Sequence, residues 1–131
     1  MLKEENQINI LVVEDEIPLL EAIRTKLSHN GFEVVTARTA EQAYGYLEDI
    51  KIQVVWLDHY LLGKESGLDI VSTLKNNENY KNIPIFVVSN TASSDKVQNY
   101  INFGINKYYV KANYRLDQII KDIKDYLKDP K

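Results

Sequence analysis

What most constrains this chain is an alternation repeated five times: a short apolar run, then a longer stretch with helical periodicity. The runs are "INILVV" (8–13), "FEVVTA" (32–37), "IQVVWLD" (52–58), "IPIFVVSN" (83–90) and "KYYVK" (107–111). Strands alternating with helices of this length pair in parallel through right-handed crossovers. Both faces of such a sheet are covered, so its strands read as apolar throughout instead of alternating. The expectation is an α/β chain, (βα)5, with a doubly wound five-stranded parallel sheet; if its order is 2-1-3-4-5, strands one and three are neighbours.

The helical segments carry their own signals. Leu19, Leu20, Ile23 and Leu27 share one face, with Pro18 in the first turn and Gly31 as the stop. Thr39 and Gln42 stand in capping-box spacing, and Ala40, Ala43 and Leu47 form the stripe behind them. In "SGLDIVSTLKNN", Leu68, Val71 and Leu74 point inward. A fourth helix runs from about Ser94 to Phe103, before Gly104. The fifth carries a continuous apolar stripe of Leu116, Ile119, Ile120, Ile123 and Leu127. No linker, repeat or low-complexity tract interrupts the pattern, so one domain is expected over residues 1–131, with its core at about 7–128.

Composition narrows the function. At 131 residues, most apolar surface can be buried without disulfides or metals. There is no cysteine, which excludes disulfides, thiolate zinc sites and a cysteine nucleophile. Sixteen basic residues against nineteen acidic ones give a net charge of −3, which argues against direct nucleic-acid binding. The nine tyrosines are therefore assigned to packing and partner contact. "MLKEENQ" is polar, unlike a signal peptide, and no apolar run approaches a membrane span. The cytoplasm is the expected compartment.

In an open α/β sheet, ligands bind outside the carboxyl ends of the strands. Strand one ends in Glu14-Asp15-Glu16, strand three in Asp58, strand four in Ser89 and strand five in Lys111. Each is ordinary alone: an aspartate is a cap, an acidic run starts a helix, a lysine is solvated. Together they form a chemical set. With strands one and three adjacent, Glu14, Asp15 and Asp58 converge, and converging carboxylates call for a cation. Oxygen-only ligands favour Mg²⁺. A carboxylate beside that ion is a competent nucleophile toward phosphorus, with Ser89 and Lys111 to hold phosphoryl oxygens.

Four stretches carry a family resemblance: "ILVVEDE", "VVWLD", "IFVVSN" and "YYVK". In this order and spacing the chain resembles a response-regulator receiver domain, the phosphoacceptor of two-component signalling, with a flavodoxin-like fold. The resemblance implies Asp58 as phosphorylation site and Asp15 as a direct Mg²⁺ ligand. It implies Glu14 as a ligand through water and the Tyr60 backbone carbonyl as a further one. Ser89 and Lys111 would bind the phosphoryl group, and Tyr108 would be the switch aromatic coupled to Ser89. The implied partner is a histidine kinase or histidine phosphotransfer protein. A second copy docking through the fourth helix, fifth strand and fifth helix is a further implied partner, with no direct nucleic acid and no membrane. The chain would assist its own phosphorylation and dephosphorylation only.

Three positions depart from the family pattern. Leu62 stands where a proline follows the acceptor, in a loop one residue longer before Gly67. Asn90 follows Ser89 in place of a small residue. Ala112 stands where a cis proline follows the lysine. A cis bond costs about 2.5–4 kcal/mol without proline. A trans bond is therefore expected, with a shifted loop and a Lys111 that still reaches Asp58. His59 reads as a variable flank of the acceptor, and His29 as a polar helix end. A degenerate receiver serving as an interaction module is the alternative within the fold. A flavin carrier is disfavoured because "EDEIP" would repel a phosphate. An aspartyl phosphatase is disfavoured because Tyr60 stands where a second acid is needed.

Overall fold

The computed structural model of the protein describes residues 7–91 and 93–129. Five strands are formed: β1 (Ile8–Val13), β2 (Phe32–Ala37), β3 (Val54–Leu57), β4 (Ile85–Ser89) and β5 (Lys107–Val110). Helices α1 (Ile17–His29), α2 (Ala40–Asp49), α3 (Gly67–Lys75), α4 (Ser94–Asn102) and α5 (Leu116–Lys128) alternate with them. All strands pair in parallel, in the order β2-β1-β3-β4-β5. This is the expected architecture.

Successive strand residues point to opposite faces, and both faces are apolar. Leu11, Val13, Val55, Leu57, Ile85 and Val87 pack on one side with Ala43, Leu47, Ile70, Leu74 and Tyr100 of α2, α3 and α4. Ile10, Val12, Val54, Trp56, Phe86 and Val88 pack on the other with Leu20, Ile23, Leu27, Ile119, Ile120 and Ile123 of α1 and α5. The stripes expected of α1, α2 and α5 face these cores, with Leu19, Leu116 and Leu127 partly buried at the margins. In α3, Ile70 joins Val71 and Leu74 as the buried residues, while Leu68 is partly buried.

The strands are shorter than the apolar runs. β3 begins at Val54 because Ile52 and Gln53 precede the register with β1, which starts at Ile10–Val54. β4 begins at Ile85, directly after Pro84, which has no N–H for a ladder bond. β5 ends at Val110, and Lys111–Asn113 forms a 3-10 turn. Thr39 caps α2 by accepting from the Gln42 N–H at 3.1 Å. The reciprocal half goes elsewhere: the Gln42 side chain accepts from the Arg38 N–H at 2.8 Å. At α3 the box is complete, between Ser66 and Asp69.

Candidate functional site

Register places the site. Val13 pairs with Leu57, so Glu14 and Asp58 leave adjacent strands side by side. Leu57 pairs with Val87, and Ser89 with Val110, so Ser89 and Lys111 leave at the same edge. Glu14, Asp58 and Ser89 are buried, at 1%, 4% and 0% exposure. Carboxylate oxygens of Glu14, Asp15 and Asp58 lie within 4.8 Å of one another.

Lys111 holds the two buried acids. Its Nζ donates to Glu14 Oε1 at 2.8 Å and to Asp58 Oδ2 at 3.2 Å. Burial pushes the Glu14 carboxyl up, and the charge of Asp58 adds to this against the hydrogen bond from Lys111. Burial pulls the Lys111 ammonium down, but Glu14 and Asp58 outweigh it and hold it above its ordinary value. The described residues include no cis peptide bond, and Lys111 reaches Asp58 as expected.

Neighbouring loops fix the rim. Arg38 donates from Nε and Nη2 to the Asp15 carbonyl, at 3.1 and 2.9 Å. Leu62 bridges to Thr39, and its N–H donates to the Arg38 carbonyl at 3.3 Å. The β3–α3 loop, with Leu62 in it, is thus stitched to the β2–α2 loop. Gly63 in that loop takes φ of +90°, a conformation that favours glycine. Asn90 is exposed.

The model of one protein family, the response regulator receiver domain, matches residues 10–124. The chain belongs to that family. Receiver domains are the regulatory phosphoacceptor domains of two-component systems. Among curated relatives, the phosphate regulon transcriptional regulatory protein PhoB of Pseudomonas aeruginosa is 31% identical over 102 residues, 78% of this chain and 44% of that protein. The heme response regulator HssR of Staphylococcus saprophyticus is 30% identical over 118 residues, 90% of this chain and 50% of that protein. The chain therefore spans about half the length of these relatives. The phosphorylated cyanobacterial phytochrome response regulator RcpA superposes with a TM-score of 0.82 at 25% identity, covering 95% of this chain and 96% of that one.

The receiver's remaining expected residues lie nearby. Ser89 Oγ accepts from the Thr91 N–H at 3.4 Å. Tyr108 of β5 donates its hydroxyl to the Thr91 carbonyl at 2.8 Å, and burial holds that hydroxyl's pKa up against the effect of Ser89. Tyr60 follows on the β3–α3 loop with an exposed ring, and Lys96 Nζ lies 5.3 Å from its centroid.

His59 is more than a flank. It is buried, its N–H donates to Asp58 Oδ1 at 2.7 Å, and its Nδ1 lies 2.6 Å from the Tyr100 hydroxyl. Burial, then the charge of Lys96, lowers its pKa. Sequence reading missed this because the partner lies 41 residues away. One signal was present: a tyrosine, Tyr100, within the fourth helix, where it is the buried residue of α4.

Proposed function

We propose that the chain is a phosphorylation-controlled switch and that Asp58 accepts the phosphoryl group. The observation that carries this reading is a buried carboxylate at a strand end, gripped by a lysine and flanked by two further acids. The donor is a phospho-histidine of a sensor kinase or phosphotransfer protein in the cytoplasm. An Asp58 carboxylate oxygen attacks phosphorus, the P–N bond breaks, and the histidine leaves with its electron pair. The product is an acyl phosphate.

The residues fit Mg²⁺: three clustered carboxylates, all-oxygen donors, and no cysteine in the chain. Asp15 and Asp58 would hold it directly, Glu14 through water, and Tyr60 through its carbonyl. Bound there, it neutralises charge on the transferring group. Lys111 keeps Asp58 in place and pairs with a phosphoryl oxygen of the product. The Ser89 hydroxyl donates to another, and Tyr108 follows Ser89.

The α4–β5–α5 face then changes, and a partner or a second copy reads it. The exposure of Ile101 and Phe103 at the end of α4 supports apolar contact there. Among the described residues, no helix is long and apolar enough to cross a membrane.

The test is intact mass after incubation with acetyl phosphate. The wild-type protein should gain one phosphoryl adduct with Mg²⁺ and none with a chelator. Asp58→Asn should gain none, because an amide is a poor nucleophile. Asp15→Ala should react slowly at limiting Mg²⁺. A wild-type protein that never takes the adduct would instead be an interaction module.

A further inference from the structure

Asp58 has a second polar connection, and it runs to α4. The His59 N–H donates to Asp58 Oδ1, and the His59 ring meets the Tyr100 hydroxyl at 2.6 Å, both side chains being buried. Lys96 Nζ sits 3.4 Å from Nε2. With the Lys96 ammonium donating to Nε2, the neutral ring would carry its proton on Nδ1 and donate it to the Tyr100 oxygen.

That oxygen also packs against the first residue of α3. A Cβ added at Gly67 would lie 2.8 Å from it and 2.3 Å from the Asp58 carbonyl oxygen. The acceptor loop, α3 and α4 therefore meet at one hydroxyl. The Tyr100 ring lies 5.5 Å from that of Tyr108, which bonds Thr91, which in turn bonds Ser89.

We propose that the His59–Tyr100 hydrogen bond couples the chemical state of Asp58 to α4, in addition to the Ser89–Tyr108 pair. The inference rests on Asp58 being the acceptor. When the acyl phosphate forms, one carboxylate oxygen becomes the bridging anhydride oxygen and the shared negative charge leaves the carboxyl group. The charge-assisted bond from the His59 N–H weakens. The buried ring cannot drop its hydroxyl partner without an unpaired polar group, so a shift of residue 59 is passed to Tyr100. Coupling of this kind is reciprocal: α4 held elsewhere by a partner would alter the hold on Asp58.

Hydrogen exchange of α4, with and without beryllofluoride plus Mg²⁺ as the phosphoryl stand-in, tests this. In the wild-type protein, exchange across Ser94–Asn102 should change on addition. In Tyr100→Phe and in His59→Leu that response should shrink about fivefold or more, while the acetyl-phosphate rate stays within about twofold. His59→Asn, whose amide occupies the Nδ1 position, should keep the response. The double variant should lose no more than either single one. A purely structural role would lower the melting temperature of Tyr100→Phe but leave the difference between the two states intact. A wild-type response in Tyr100→Phe, or a phosphorylated wild type with unchanged α4, overturns the coupling alone. A wild type that takes no adduct overturns the acceptor reading and the coupling with it.

Discussion

Lys111 sets the charge balance at the strand ends. Its side chain is 17% exposed, against 1% for Glu14 and 5% for Asp58, so neither ion pair is an ordinary surface bridge. Removing one partner of a buried pair leaves an uncompensated charge, which typically costs about 3–5 kcal/mol. Lys111→Met should therefore destabilise the metal-free protein by roughly that amount in urea unfolding. Mg²⁺ should restore part of the loss, since a cation that binds the folded state stabilises it by mass action. A variant as stable as the wild type without Mg²⁺ would mean that the two acids do not need the lysine. His59 shows what single residues conceal. Its burial and its bond to Tyr100 depend on a contact between the loop after β3 and α4, 41 residues apart in the chain.

Elements meet the site through close backbone contacts. Gly67, the first residue of α3, donates its N–H to the His59 carbonyl at 2.9 Å, and a Cβ there would lie 2.3 Å from the Asp58 carbonyl oxygen. Backbone cannot move aside as a flexible side chain does. Gly67→Ala should cost about 1–3 kcal/mol, read from the urea midpoint, and should slow phosphorylation by displacing the loop. An unchanged midpoint would mean that the loop yields freely. At the other edge, Asp122 of α5 accepts from the Tyr109 hydroxyl at 2.7 Å and from Lys107 at 3.0 Å. Burial opposes ionisation there, but these partners outweigh it and hold the carboxyl below its ordinary 3.8. A depressed folded-state pKa gives stability that is present above the unfolded value and lost as pH falls through the folded one. The wild type should melt above Asp122→Asn at neutral pH, and the gap should close as pH drops below 3.8. A gap that persists unchanged in acid would contradict the pairing.

Across the whole molecule, the legible part is what periodicity carries. Unbroken runs such as "LVV" and "VVWL" announced a sheet covered on both faces, and the two cores that alternate along β1, β3 and β4 are the physical reason. The converging strand ends followed from that topology. Element ends were less legible, because Pro84 and the 3-10 turn after Val110 cut the ladder inside apolar runs. Loop-to-loop contacts were not legible at all: Arg38 on the Asp15 carbonyl and the Thr39–Leu62 bridge depend on folded proximity. In the proposed reaction these strand ends place one phosphoryl group on one carboxylate. The most direct measurement traps that bond. Borohydride reduces an aspartyl phosphate to homoserine, which peptide mass spectrometry then locates. After incubation with acetyl phosphate and Mg²⁺, homoserine is expected at position 58 and intact aspartate at position 15. Homoserine at position 15, or none anywhere in a protein that carries the adduct, would contradict it.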